Sequence, residues 1–341
     1  MSDKKKIDSL DFIRAASVLM IIMFHFMTSV VRSGGDWKDY SLFAPMGSIG
    51  VSFFIIISGA GLFISSKNWN GSIEFYIKRF KSIYPTFWFV YLFMTCFLFL
   101  FMGRVYVGDS IDKWLLTISG FDGYMSWYTS TYYLVGEWFI GFIVLIYILF
   151  PLLRLALNRN RTATLIASVV AAIIMNNFNG EISTALPIFN ANAVWNPIVR
   201  LPEFIFGAIM AEELTNKSKS IKYIASVSFV YLIIATSSFD NLNMGVLSIP
   251  STCALFCVIV FLYDKLRIKK EIISIISFFS SLSFVAFLIH HKIIGTLSSY
   301  LKINYHNEIA VYIYMFTVIF TVFILAYFVS KPLKHINACF K

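Results

Sequence analysis

Apolar runs long enough to cross a bilayer recur along this chain, and they fix its solvent before any motif is considered. A span needs about 20 mainly apolar residues. Ten segments qualify: Phe12–Val31, Gly47–Ile64, Tyr84–Gly103, Tyr133–Leu153, Ala163–Met175, Leu201–Ala211, Ile221–Ser238, Gly245–Leu262, Ile272–Ile294 and Ile309–Val329. The fifth and sixth are short and are expected to extend into their flanks. Only 13% of the residues are charged, against about 25% in a soluble domain. So few charges cannot cover a water-facing surface, which excludes a soluble enzyme and a disordered chain. Backbone groups in hydrocarbon must be satisfied within the segment, so the spans are helices. The expected fold is all-α: a polytopic membrane helix bundle of about ten transmembrane helices, one integral-membrane domain over residues 1–341. No internal repeat is visible.

The connections orient the bundle, because Lys and Arg concentrate in cytoplasmic loops. With the N-terminus inside, the inner segments carry Lys4, Lys5, Lys6, Lys67, Lys78, Arg79, Lys81, Arg154, Arg159, Arg161, Lys217, Lys219, Lys222, Lys265, Arg267, Lys269, Lys270, Lys331, Lys334 and Lys341. These are 20 of the 28 basic residues. The outer connections carry Arg32, Lys38, Arg104, Lys113, Arg200, Lys292 and Lys302, and Arg14 lies inside the first span. Both termini are therefore expected in the cytoplasm. A net charge of +10 is accounted for by this bias, with no nucleic-acid partner implied. Lys4–Lys6 precede an apolar run without a small-residue cleavage site, so the first run is read as a retained span rather than a signal peptide. The four cysteines, Cys96, Cys253, Cys257 and Cys339, form no CxxC and indicate neither a disulfide framework nor a zinc site. The outer connections near 104–132 and 176–200 hold Tyr124, Trp127 and Trp195. These aromatics suit an interfacial belt or contact with a sugar.

Ionisable residues at membrane depth are costly, and each is a functional candidate. Arg14 and His25 are eleven positions apart on the first span. That spacing is about three helical turns, so the two share one face about 16 Å apart along the axis. Arg14 either snorkels to the inner interface beside Asp11 or meets an anionic ligand. His25, in the outer half, is either a structural hydrogen-bonding residue or a base. Lys78, Arg79 and Lys81 crowd four positions at the inner surface. They either orient the protein and contact anionic lipid, or hold the phosphates of a cytoplasmic cofactor. Glu137 begins the fourth span, where a carboxylate needs a partner or a proton. Arg200 and Glu203 are i,i+3 and are expected to pair with each other. Ser283 and His290 are seven apart and share a face of the ninth span, with His291 beside His290 as an interfacial pair. His306 and His335 read as loop and tail residues. Ser58, Gly59 and Gly61 allow close helix approach. Fixed cations thus lie toward the inside, and titratable groups toward the outside.

In order along the chain, several short patterns resemble the acyltransferase 3 family of polytopic bacterial membrane acyltransferases. Leu10-Asp11-Phe12-Ile13-Arg14 followed by ten residues and His25 is similar to its Arg-x10-His signature. Gly50-Val51 through Phe54 to Ser58-Gly59 resembles its second-span motif, and Arg79 with Ile83-Tyr84-Pro85 resembles the basic start of its third span. Trp138-Phe139 with Tyr147 and Pro151 matches its fourth span. Ser283-Phe284 with Phe287-Leu288-Ile289-His290 resembles its late Ser-Tyr-x-x-Tyr-Leu-x-His pattern, with Phe for each Tyr. One departure stands out. The second Arg that usually follows the one matched by Arg79 is Ser82 here, with Lys81 beside it, and Lys lacks the bidentate fork of Arg. The sequence stops after the tenth span, leaving out the extracytoplasmic esterase-like domain that some members append. Such a member is expected to complete transfer within the bundle or to hand the acyl group to another protein.

The resemblance implies a membrane O-acyltransferase of the bacterial cytoplasmic membrane. It would transfer an acyl group, often acetyl, from acyl-CoA to a hydroxyl of a surface glycan or lipid-linked sugar. Under that implication Arg14, Lys78, Arg79 and Lys81 meet the anionic donor, and His25 is a general base. His290 and Glu137 orient the base, bind the acceptor or handle the proton. Ser58 and Ser283 are candidate oxyanion donors or covalent relays. No metal is implied, since His, Glu and Cys show no ligand spacing. Membrane lipid, the glycan acceptor, and a homo-oligomeric or glycan-assembly partner complete the expected contacts. A transporter or flippase of glycan or lipid intermediates accepts the same division of charge. It would more often show inverted repeats or broken helices in matching halves. A scaffold in a glycan-assembly complex needs no titratable groups at depth.

Overall fold

The computed structural model describes residues 7–35, 40–66, 71–103, 110–132, 134–216, 220–238, 248–301, 305 and 307–339. Lys4, Lys5, Lys6, Lys38, Lys67, Arg104, Lys217, Lys219, Lys302, His306 and Lys341 lie outside the described residues. The regular elements among the described residues are helical: α1 (Asp8–Arg32), α2 (Tyr40–Ser65), α3 (Ser72–Met102), α4 (Trp114–Ser119), α5 (Asp122–Met125), α6 (Glu137–Arg159), α7 (Arg161–Asn177), α8 (Asn179–Ala185), α9 (Leu201–Asn216), α10 (Ser220–Ser238), α11 (Ser248–Lys265), α12 (Lys270–Tyr300) and α13 (Glu308–Cys339). Two single 3-10 turns complete the set.

Among the described residues each of the ten apolar runs falls mainly on a helix, but the lengths differ from those read off the sequence. Among the described residues seven helices are long and apolar enough to cross a membrane: α1, α2, α3, α6, α11, α12 and α13. α7 and α8 together form an eighth candidate, bent by 82°. α9 has 16 residues, and the apolar part of α10 is Ser220–Ile234. Among the described residues, seven or eight helices of sufficient length thus stand beside the expectation of about ten spans. The third helix begins at Ser72 rather than Tyr84. Its added turns carry Phe75 inward and leave Lys78 and Lys81 exposed. An i,i+4 pair between Glu74 and Lys78 supports them. The basic cluster therefore sits on a helix and not in a loop.

Large apolar side chains cover much of the outside. Leu92 and Leu100 of α3, Val227 and Val230 of α10, and Phe316 and Phe320 of α13 are all exposed. Contiguous apolar surface on this scale would be costly in water and is the surface a bilayer requires.

The chain groups into two compact units. One takes in Met1–Ser17, Val51–Asn70 and Ile146–Ser280. Within it α10 packs on α11, and α7 on α9. α2 and α9 cross at two glycines. A Cβ on Gly59 would overlap the Phe204 carbonyl oxygen, and one on Gly207 would overlap that of Ile56. Only hydrogen at these positions lets the backbones meet. Arg161 grips Glu212 through two bonds of 2.9 and 2.6 Å, tying α7 to α9.

The other unit takes in Val18–Gly50, Gly71–Leu145 and Ser281–Lys341. Here α3 packs on α13. Phe26 of α1 meets Tyr314 of α13 edge to face at 5.2 Å. Phe139 of α6 meets Phe287 of α12 at 5.4 Å in the same manner. Gly136, at φ +84, turns the chain into α6 where any side chain would press on Ile140, Leu288 and Phe87. Left-handed φ with no room for a Cβ makes glycine the residue for this turn.

Candidate active site

His25 is the sequence-predicted residue around which the second unit organises its polar groups. It is half-buried on α1, where Ile22 and Phe26 of the same helix are buried. Against it lie two rings from α12. The His290 centroid is 5.2 Å away and the His291 centroid 4.1 Å away, and the two are 5.1 Å from each other. Consecutive helical residues point about 100° apart, and His25 enters between them. Phe24 closes one side, edge to the His25 ring at 4.8 Å.

His290 is completely buried. Its Nδ1 lies 2.6 Å from the Phe287 carbonyl oxygen. A carbonyl can only accept, so Nδ1 donates, and in the neutral ring the lone pair is at Nε2. The i,i−3 bond fixes the ring plane as well as the tautomer. Ser283, one face up the same helix, is buried. Glu137 is the first residue of α6; its side chain lies outside the described residues.

The basic cluster lies in the same unit on α3. Lys78 pairs with Glu74, and Lys81 is exposed. Arg79 is half-buried, with its guanidinium carbon 5.8 Å from the Phe75 ring centroid. Arg79 Nε is buried with no hydrogen-bond partner among the described residues. Ser82, where the family has its second Arg, caps back onto the Arg79 carbonyl at 2.8 Å. It contributes a local bond rather than a second charge.

Arg14 belongs to the first unit. Its Nη1 donates to Asp11 Oδ1 at 3.0 Å and to Ser280 Oγ at 3.3 Å, and Ser280 Oγ donates to Asp11 Oδ1 at 2.9 Å. The pairing with Asp11 expected from the sequence is present, and Ser280 of α12 adds a tie the sequence did not indicate. α1 is unbroken from Asp8 to Arg32, so the eleven-residue interval from Arg14 to His25 is helical throughout, as the one-face argument requires.

The Arg200–Glu203 pair is also present, and it is more than an i,i+3 contact. Arg200 Nε donates to Glu203 Oε2 at 2.8 Å, and Arg200 Nη2 donates to Ser52 Oγ at 2.8 Å. Ser52 Oγ donates to Glu203 Oε1 at 2.7 Å. All three side chains are buried. The closed ring leaves this pair structural, clamping α2 to the start of α9.

Asp122 escaped the sequence reading, and Tyr124 departs from its expected place. Asp122, on α5 in the connection between α3 and α6, is 1% exposed. Burial pushes its carboxyl up to about 6, with hydrogen bonds from Thr117 and Tyr91 pulling the other way. Tyr124 is fully buried against Gly141, which removes it from both the interfacial belt and sugar contact. No spacing in the sequence links these loop residues to their partners. Their burial follows from the packing of α4 against α3 and of α5 against α6.

Neither the curated proteins nor the solved structures contain a significant match to this chain. The family model for acyltransferase 3, described as an acyltransferase domain, matches residues 7–330. That match covers α1 through most of α13, including every candidate residue above, and the chain belongs to this family of membrane acyltransferases.

Proposed function

We propose that this multi-pass membrane protein is an O-acyltransferase of the bacterial cytoplasmic membrane. It moves an acyl group, acetyl in the first instance, from cytoplasmic acyl-CoA to a hydroxyl of a surface or lipid-linked polysaccharide. The observation that carries the reading is the His25 imidazole held against a His290 ring whose tautomer is fixed by the Phe287 carbonyl. A neutral imidazole is suited to take a proton from a hydroxyl.

The reaction follows from that assignment. His25 accepts the acceptor's O–H proton as the oxygen attacks the thioester carbonyl. The C–O bond forms, the tetrahedral centre collapses, the C–S bond breaks, and the thiolate leaves as CoA. The proton on His25 passes to the thiolate or to water. His290 positions His25, and Glu137 binds the acceptor or handles the proton. Lys78, Arg79 and Lys81, three cations on one helix, attract the phosphates of CoA. Half-buried Arg79 supplies the directed contact, and the exposed lysines supply general attraction. Arg14 is assigned to the same anionic donor on the strength of the family pattern.

Membranes containing the protein are incubated with acetyl-CoA labelled in the acetyl group, and the polysaccharide fraction is recovered. Label in an alkali-labile ester is expected. NMR of the surface polysaccharide with and without the gene would name the group, the sugar and the position together. An unchanged spectrum with no label transferred would defeat the reading.

A further inference from the structure

Three imidazoles converge in the second unit, and one base needs only one of them. His25, His290 and His291 each offer a ring nitrogen, and these atoms all lie within 4.8 Å of one another. We propose that they form a site for a borderline transition-metal dication of the Zn2+ type, and that occupancy of this site shuts off acyl transfer. The activity part rests on the base role proposed for His25; the binding part does not.

The ligand chemistry selects the ion. Neutral imidazole nitrogens suit Zn2+, Co2+, Ni2+ and Cu2+, whereas Mg2+ and Ca2+ require oxygen donors. Zn–N bonds of about 2.0–2.1 Å in a tetrahedral arrangement place the nitrogens about 3.4 Å apart. The cluster therefore contracts by about 1.4 Å at most to close on an ion. His290 is prepared for this role. Its Nδ1 donates to the Phe287 carbonyl, the outer hydrogen bond that orients metal-bound histidines and leaves Nε2 as the ligating atom. His290 is completely buried, and low local dielectric strengthens the attraction between ion and ring dipole. Three protein ligands leave a fourth position for water. A metal bound to the His25 lone pair occupies the electrons that would accept the acceptor's proton. The dication therefore inhibits by direct competition for that atom. The sequence hides the site because the ligands come from α1 and α12, and because adjacent histidines do not have the i,i+4 spacing of a helical metal motif.

The full-length protein in detergent is titrated with Co2+ and Zn2+ at neutral pH. Co2+ is followed by its visible ligand-field absorption, and Zn2+ by equilibrium dialysis. One ion per chain is expected, with an intense Co2+ band that Zn2+ displaces. His291→Ala is expected to weaken binding at least about tenfold, the lower end for disturbing a metal-bound histidine. His335→Ala, at an exposed position on α13, serves as the control for adventitious surface binding and should bind as wild type. His291→Gln repeats the measurement if His291→Ala does not elute as folded protein. In the transfer assay Zn2+ should inhibit the wild type, and the Zn2+ concentration that halves each protein's own metal-free rate should rise in His291→Ala by about the same factor as its dissociation constant. No visible Co2+ band in the wild type, or equal affinity in the His291 variants, overturns the site. Binding without inhibition overturns the competition. The binding arm uses neither donor nor acceptor, so its failure is distinguishable from failure of the acyl-transfer reading.

Discussion

The His25 and His290 rings lie 5.2 Å apart and inclined by 45°, one on the first helix and one on the penultimate. Two imidazoles from distant parts of the chain, one of them of fixed tautomer, are thereby placed together.

Removing the acceptor tests its role most directly. General-base catalysis contributes about 10²–10⁴-fold, so His25→Ala should lower kcat by that order with expression and elution unchanged. His290→Phe keeps the volume but loses the bond to Phe287. It should lower kcat less, because it disturbs placement and not the base itself. Single-turnover transfer of labelled acetyl would report both. Wild-type rates in His25→Ala would end the base assignment.

Donor binding is separable from chemistry. Charge-assisted hydrogen bonds contribute about 1.5–3 kcal/mol, equivalent to about 10–100-fold in affinity. Arg79→Ala is expected to raise the KM for acetyl-CoA within that range while kcat changes little. Arg14→Ala should do likewise, with some loss of stability from the freed Asp11 carboxylate. Steady-state kinetics over donor concentration decide this, and wild-type KM values in both variants would show the basic cluster to be an orientation signal only. Ser82→Arg, which restores the family's second Arg beside Lys81, should lower the donor KM.

The Arg200–Glu203–Ser52 ring predicts a stability effect without a specific kinetic one. Breaking a buried pair by removing one partner costs about 3–5 kcal/mol. Glu203→Ala should therefore lower the Tm markedly in detergent and reduce the yield of monodisperse protein. Ser52→Ala removes the bridge but leaves the pair and should cost less. A Glu203→Ala protein with wild-type Tm would contradict the ring.

Close approach of α2 and α9 gives a second, independent stability test. Gly207→Ala places a methyl on the Ile56 carbonyl oxygen, and backbone cannot move aside as a side chain can. Loss of folded protein is expected. Gly61→Ala, on the same α2 helix with open space beside it, should be tolerated, and thermal unfolding of the two side by side checks the contrast.

Asp122 makes stability depend on pH. Its folded-state carboxyl titrates near 6 because of burial, above the unfolded value of about 3.9. Between these two values the folded state holds more protons than the unfolded one, so stability falls as pH rises from about 4 to 6 and then levels off. Asp122→Asn mimics the protonated form. It should flatten that dependence and gain on the order of 1–3 kcal/mol above pH 6. Tm measured across this range is the readout, and an unaltered slope in the variant would remove Asp122 as its source.

The sequence alone determined the solvent and the helical class, because apolar length and the demand for backbone hydrogen bonds in hydrocarbon leave no other element. It also singled out Arg14, His25, Glu137 and His290, since scarce ionisable groups at depth stand out by their cost. It placed the Arg200–Glu203 pair, because i,i+3 neighbours must be close. Other features needed the tertiary structure. Lys78 and Lys81 precede the apolar run that starts at Tyr84, yet helix α3 starts at Ser72, since local pairing with Glu74 and burial of Phe75 extend it. Ser52 and Ser280 gave no signal, because a lone Ser in a helix becomes meaningful only when another helix brings a charge to it. His291 looked like a companion of His290; only packing of α1 against α12 turns the two adjacent rings and His25 into a three-nitrogen cluster. Local chemistry is written in the order of residues, whereas convergence depends on which helix faces which. That choice is made by packing surfaces such as Gly59 and Gly207, whose meaning no single segment contains.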